Sequence, residues 1–158
     1  MYTKINEKDS IMKLGAIYSK EKTTFTLFSP VADSVFVIFY DKGNDSTETG
    51  RLEMMRGEGE LRSIFSATAE GNLDGVYYTY EVHTADGTFS SHDPYARACG
   101  VNGHRSMVID LSKTDPDGFA DEDRPKLADP MSMVITEVSV ADVSAGASAH
   151  SRYPGKFK

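Results

Sequence analysis

Apolar positions along this chain recur with a period of two rather than the 3.6 of an α-helix. Over residues 23–28 polar side chains alternate with Phe25 and Leu27 and stop at Pro30, which predicts a half-buried strand entering a turn. Residues 35–40 form an unbroken run of β-branched and aromatic side chains, too short for a helix and bounded by Asp33 and Gly43, so a second strand is expected. Alternation places Val35, Val37 and Phe39 on one face and Phe36, Ile38 and Tyr40 on the other. Both faces are apolar, which fits a central strand or a sheet whose outer face meets another domain. Residues 43–50 are a polar loop, and the two glycines within 56–60 mark a turn between strands at 52–55 and 63–68. Asp74-Gly75 opens the clearest strand, with Val76, Tyr78, Tyr80 and Val82 on one face and Tyr77, Thr79, Glu81 and His83 on the other. A turn at 85–87 pairs it with 88–91, and the Asn102-Gly103 turn leads into a strand at 106–111. About seven strands at sandwich spacing, with no clear amphipathic helix, predict an all-β, immunoglobulin-like β-sandwich.

The chain has 158 residues, enough for one domain and a modest tail. At 113/114 the composition shifts to Asp, Pro and Lys, so the sandwich is expected over 14–113 and a linker over 114–132. Residues 133–144 are strand-like again, and 145–158, rich in Ser, Ala and Gly, are expected to be a flexible tail. A net charge of -7 argues against nucleic acid or an anionic membrane surface as partner, since both require clustered cations. Cys99 is the single cysteine, so the fold stands without an intramolecular disulfide. Residues 1–13 carry charges throughout and no apolar run of signal-peptide or membrane-helix length, from which a cytoplasmic location is expected.

Little in the chain points to chemistry. Asp115, Asp117, Asp121, Glu122 and Asp123 are the densest acidic cluster, but Gly118 stands at the fourth rather than the sixth position of a calcium-loop count, and the composition is that of a solvated linker. His83, His92, His104 and His150 lack zinc-site spacing, and no Gly-x-Ser-x-Gly elbow accompanies His92-Asp93. No catalytic residue, metal or cofactor is expected. Asp93-Pro94 reads as a turn opener whose carboxylate bonds the amide two residues on. Sugar-binding surfaces stack pyranose rings on exposed aromatics; the chain has no tryptophan, leaving Tyr40 and Tyr77 as outward candidates.

The wording of the strands resembles the family-48 carbohydrate-binding module that precedes the catalytic barrel in type I pullulanases and other members of the α-amylase superfamily. The matching pieces are Leu14-Gly15-Ala16, residues 24–32, residues 73–82, Asp93-Pro94-Tyr95-Ala96-Arg97, and above all Gly100-Val101-Asn102-Gly103 leading into residues 105–111. The likeness continues through 114–130 to residues 134–144, which resemble the first strand of the barrel. There the chain departs: Thr136, Ser139, Ala141 and Val143 stand where the family has tyrosine, histidine, arginine and phenylalanine. Phe65 stands where the pullulanase pattern has tryptophan, at an alternating position that reads as core.

The resemblance implies a non-catalytic accessory module of an α-glucan debranching hydrolase, truncated at the start of a barrel that it would pack against and position. It also implies that Tyr95 and Arg97 lie near that domain, joining Phe36, Ile38 and Tyr40 as expected contact residues. A free-standing starch- or glycogen-binding module and an immunoglobulin-like protein-interaction domain are the alternatives. With no barrel to cover the Phe36, Ile38 and Tyr40 face, either residues 131–143 fold back over it or a second copy shields it, and self-association into a homo-oligomer is expected, because apolar patches of a few hundred Å² are rarely left bare.

Overall fold

Extended segments rich in β-branched and aromatic residues form nine strands among the residues that the computed structural model describes, 13–123, 126 and 128–156. They are β1 Gly15–Tyr18, β2 Lys22–Phe28, β3 Ser34–Tyr40, β4 Glu48–Arg56, β5 Ile64–Glu70, β6 Tyr77–Thr84, β7 Gly87–Ser91, β8 Ala98–Cys99 and β9 Ser106–Met107. Every pairing is antiparallel, in the order β1-β2-β5-β4-β3-β6-β9-β8, with β7 also on β6. One sheet turns into the other within β4: its residues up to Met54 pair with β3, while Met55 and Arg56 pair with β5. The sheet therefore curls into an immunoglobulin-like sandwich closed along β4 and open between the edge strand β1 and β9.

Alternation delivers the core from both layers. Phe25, Val35, Val37, Phe65, Tyr78, Tyr80 and Val108 are at most 1% exposed, and Leu27 and Met54 pack with them. Phe25 meets Tyr78 and Phe39 edge to face, at centroid distances of 5.0 and 5.7 Å. Phe65 is core, as its alternating position suggested.

The strand count exceeds the expected seven because β1 and β8 are too short to carry a periodic signal. Two strands have different limits from those expected. The polar loop at 43–50 ends early, because Glu48 already pairs with Tyr40. The 106–111 strand has only Ser106–Met107 as ladder; Val108 exchanges bonds with Val76 and Gly75, and Leu111–Lys113 is a 3-10 turn capped by Asp110.

The apolar outer face of β3 is not bare. Ile38 is 3% exposed, seated between Arg51 of β4 and Thr79 of β6. Arg51 is tied to Glu48 and Glu81 at 3.2 and 3.0 Å, and its guanidinium lies 5.3 Å over the Phe36 ring. The Arg105 guanidinium sits 3.6 Å over Tyr40. Arginine stems and planes thus cover part of what the sequence pattern left open.

At the same end, Arg105 donates to the carbonyls of Lys42 and Ser46 at 2.7 and 2.8 Å and to Ser46 Oγ at 2.8 Å, stapling loop 41–47 to the β8–β9 turn. The two backbones touch through facing glycines: a Cβ on Gly100 would stand 2.5 Å from the Gly43 Cα. The turn itself uses the left-handed region, with φ of 53° at Asn102 and 71° at Gly103. The Gly100-Val101-Asn102-Gly103 stretch is thereby accounted for as structure.

Chain contacts define a second unit from Asp117 onward. Within it, residues 133–144 do not form the expected strand. Val140–Ala145 is a short α-helix, α1, whose entry is capped by Ser139 Oγ accepting from the Asp142 amide. The residues before it have no ladder partner among the described residues, and Val134 and Ile135 are 94% and 80% exposed. A serine three residues before an aspartate, with alanine between, favours a helix start over an isolated strand.

Gly100→Ala is expected to lower stability by about 1–3 kcal/mol, since neither backbone can yield without opening the Arg105 staple. Urea unfolding monitored by tyrosine fluorescence checks this, with Gly103→Asn as a tolerated control at a left-handed position.

Candidate functional site

Tyr78 and Tyr80 are two apart on β6, so both rings enter the core and both hydroxyls emerge on the same side. There they meet Asp93, which accepts from Tyr78 at 2.7 Å and from Tyr80 at 3.2 Å, both on Oδ2. Its Oδ1 takes the Tyr95 amide at 2.8 Å, the turn bond expected from the sequence, and its own N–H donates to Ser106 Oγ at 2.8 Å. Asp93 is 2% exposed and has no cationic partner among the described residues. Burial first, and the Asp93 carboxylate next, push both phenols far above their ordinary value of 10.0.

Asp93 anchors the loop that carries Tyr95 and Arg97. The loop rests on Gly15, where an added Cβ would come within 2.9 Å of Tyr95 Cβ. Gly15 has φ of 91°, so its lack of a side chain serves both the backbone conformation and the close approach. Above this foot Tyr95 is 48% exposed and Arg97 is exposed. Beside it, along the open seam between β1 and the 107–112 segment, runs a groove of about 320 Å³ whose walls include Ile17, Tyr18, Tyr78, Arg97, Val108 and Leu111.

The remaining candidates are disposed differently. Tyr40 and Tyr77 are half-buried: one face of the Tyr40 ring is occupied by Arg105 and its hydroxyl contacts Thr79 Oγ1 at 3.3 Å, while the Tyr77 ring edge packs on Gly43. Phe36 lies under the Arg51 guanidinium, and Ile38 is buried opposite Arg51 in the ladder. Only Tyr95 and Arg97, of the five expected contact residues, are strongly presented to solvent.

Carboxylates near the seam are held for structure. Asp74 Oδ2 pairs with Lys113 Nζ at 2.6 Å and its Oδ1 takes the Asp110 amide at 2.8 Å; Asp110 caps Ser112 and lies 3.7 Å from the same ammonium. The Lys113 hydrogen bond holds Asp74, and the Ser112 hydroxyl holds Asp110, below the usual carboxylate range, so neither is set up as a general acid. Glu81 is likewise lowered, by His83 first and Arg51 next, in a surface network rather than a metal set. No group of three or more metal-ligating side chains comes together among the described residues. No helix among them is long and apolar enough to cross a membrane.

Sequence reading missed Asp93 as the core acceptor and Arg51 and Arg105 as covers. The first was open to inference, because two tyrosines on a core-facing register imply a buried acceptor for two hydroxyls. The arginines were not, since both reach across strands that lie far apart in sequence.

Comparison with known proteins places these features in a family. The carbohydrate-binding module 48 (isoamylase N-terminal domain) family matches residues 13–96. Pullulanase A of Streptococcus pneumoniae serotype 4 is 31% identical over 116 residues, covering 69% of this chain and 9% of that protein. The structure of the Bacillus acidopullulyticus pullulanase is 34% identical with a TM-score of 0.79, covering 92% of this chain and 17% of the other. That of the Paenibacillus barengoltzii pullulanase in complex with maltohexaose and α-cyclodextrin is 34% identical with a TM-score of 0.80, covering 92% and 22%.

The buried phenols generate a pH dependence. Their folded values lie above the unfolded value near 10, so their contribution is present in full below that pH and is lost as pH rises beyond it. Stability is expected to fall above pH 10 by about 1.4 kcal/mol per pH unit for each tyrosine still protonated in the fold. Urea titrations between pH 9 and 11.5 read the slope, which the Tyr78→Phe/Tyr80→Phe double variant should flatten.

Proposed function

The chain belongs to the carbohydrate-binding module 48 (isoamylase N-terminal domain) family, and on that premise we propose that it is the non-catalytic accessory module of a pullulanase-like, α-glucan debranching hydrolase. Its task is to pack against a catalytic domain and hold it in place. The observation that carries this reading is the Tyr95–Arg97 loop. Its foot is buried through Asp93 while its side chains are exposed, the arrangement of a rigid, pre-organised protein contact rather than a mobile surface turn.

A second reading, direct binding of α-glucan, is favoured by the family's description and by the sugar-bound state of the Paenibacillus barengoltzii relative. Here the ring geometry limits it. Tyr40 already stacks on Arg105, so a pyranose would have to displace a guanidinium that is hydrogen-bonded at three points.

A chimera in which this chain replaces the corresponding module of the Paenibacillus barengoltzii pullulanase tests the first reading. It should keep debranching activity on pullulan. The Tyr95→Asp/Arg97→Glu pair should lower the melting temperature of the chimera by roughly 2–4 °C more than that of the isolated chain. Equal shifts in the two backgrounds would refute a domain contact at this loop.

For the second reading, calorimetric titration of the isolated chain with maltohexaose should return a constant of about 1 mM or weaker. A micromolar constant abolished by Tyr77→Ala would establish glucan binding instead.

A further inference from the structure

The open seam holds backbone groups that the sandwich does not use. β1 pairs with β2 through Gly15↔Thr26, Ala16↔Phe25, Ile17↔Thr24 and Tyr18↔Thr23, and Ser19 N–H donates to the Lys22 carbonyl at 2.8 Å in the connecting turn. That bond makes Ser19–Lys22 a hydrogen-bonded pair. In an antiparallel ladder such pairs alternate with pairs that exchange no bonds. Gly15 and Ile17 are therefore bonded to β2, whereas Ala16 and Tyr18 turn their N–H and C=O groups away from it, toward the groove. No partner meets these four groups among the described residues. The Ala16 and Tyr18 side chains meanwhile point inward against the core, so nothing of their own covers the edge.

Edge strands with open ladders are templates for another strand, and sandwiches ordinarily blunt them with a charge, a bulge or a proline. β1 is short, at four residues, but carries no charge, bulge or proline: it reads Gly-Ala-Ile-Tyr, and the groove beside it is open. The groove walls carry two cations, Lys13 and Arg97, and neither has a carboxylate partner among the described residues. Asp110, the one acidic side chain in the wall, is already bonded to Ser112 and faces Lys113.

We propose that this seam is a receptor for an extended, acidic segment of polypeptide, which adds as a strand to β1 through Ala16 and Tyr18 and sets carboxylates against Lys13 and Arg97. Backbone hydrogen bonds supply the affinity and the two cations the choice of register. The proposal goes beyond the accessory-module reading, because it concerns the backbone edge of β1 rather than the side chains of the Tyr95 loop; Arg97 borders both. The chain's net charge of -7 repels an acidic segment at long range, so attraction is confined to within about 8–10 Å of the two cations.

The experiment uses the ¹⁵N-labelled full chain and the acetylated, amidated pentapeptide Val-Glu-Val-Glu-Val, with its Lys-for-Glu counterpart and maltohexaose as the other arms. The acidic peptide should shift the Ala16, Tyr18 and Arg97 amides and slow hydrogen exchange at Ala16 and Tyr18 by about tenfold at saturation. The lysine peptide should bind about tenfold more weakly. Arg97→Glu, on an exposed loop, should cost about tenfold in affinity without moving the melting temperature. Ala16→Pro removes an outward N–H that takes no part in the β1–β2 ladder, so it should abolish binding while the chain stays folded. Absence of shifts at millimolar acidic peptide would overturn the proposal. So would binding indifferent to both Arg97→Glu and Ala16→Pro, or shifts at these amides produced by maltohexaose and not by peptide.

Discussion

Tyr78 and Tyr80 put two phenol rings into the centre of the sandwich, where they supply core volume that aliphatic residues would otherwise fill. A ring so placed carries a hydroxyl that costs about 1–3 kcal/mol if left without a partner. Asp93 meets both, and the rest of the open side of the sandwich follows from its position. The carboxylate has to lie at the inner mouth of the seam, so the chain after β7 is drawn across the gap. Ser106 is drawn to the same point by its bond to the Asp93 amide, which fixes β9 against β6. Gly15 must remain bare to let the loop pass. Asp93 is held by three hydrogen-bond donors rather than by an ion pair, so no side chain of the loop is drawn down to it and Tyr95 and Arg97 stay at the surface.

The layer facing the other way obeys a different constraint. β3 is apolar on both sides, and only one side has a second sheet to pack on. The outer side is covered by arginines lying flat: Arg51, held between Glu48 and Glu81, roofs Phe36, and Arg105, held by loop carbonyls, roofs Tyr40. Guanidinium planes are suited to this because they are weakly hydrated on their faces while their edges donate hydrogen bonds. The roof explains how the strand can read as fully buried without a neighbouring domain. It also makes Tyr40 a poor sugar platform, since the same ring cannot stack on a guanidinium and a pyranose on one face.

Most of the sandwich was legible because period-two alternation is a local property: the inward sets Phe25 and Leu27, Val35 and Val37, and Tyr78 and Tyr80 all follow from it. What escaped was either short or non-local. β1 and β8 have too few residues to show a period. The roles of Arg51 and Arg105 depend on partners 30 and 59 residues away, and no spacing rule reaches across such distances; the two core-facing tyrosines implied a buried acceptor without identifying it as Asp93. Residues 133–144 misled for a further reason. Apolar alternation specifies a strand only where a neighbouring ladder is on offer; without one, Ser139 and Asp142 cap a helix turn, and local hydrogen bonds prevail. Of the candidate site, the Asp93-Pro94 turn was legible through its chemistry and Tyr95 and Arg97 were singled out by the family resemblance, whereas the groove was not legible, because it is defined by which strands fail to pair.

That failure to pair is itself a consequence of the core. Closing the seam would require β9 to continue beyond Met107 alongside β1, but the residues after it are committed elsewhere. Val108 bonds to Val76 and Gly75, and Asp110 and Lys113 are tied to Asp74. The segment that could have sealed the edge is thus bound to the β5–β6 connection, and the Asp93 loop occupies the mouth of the gap. Asp74 and Lys113 form a half-exposed pair of modest strength in solvent, so the backbone bonds of Val108 hold the segment and the ion pair secures its exit. Among the described residues, the open edge of β1 is therefore built in by two sets of native contacts rather than left by poor packing.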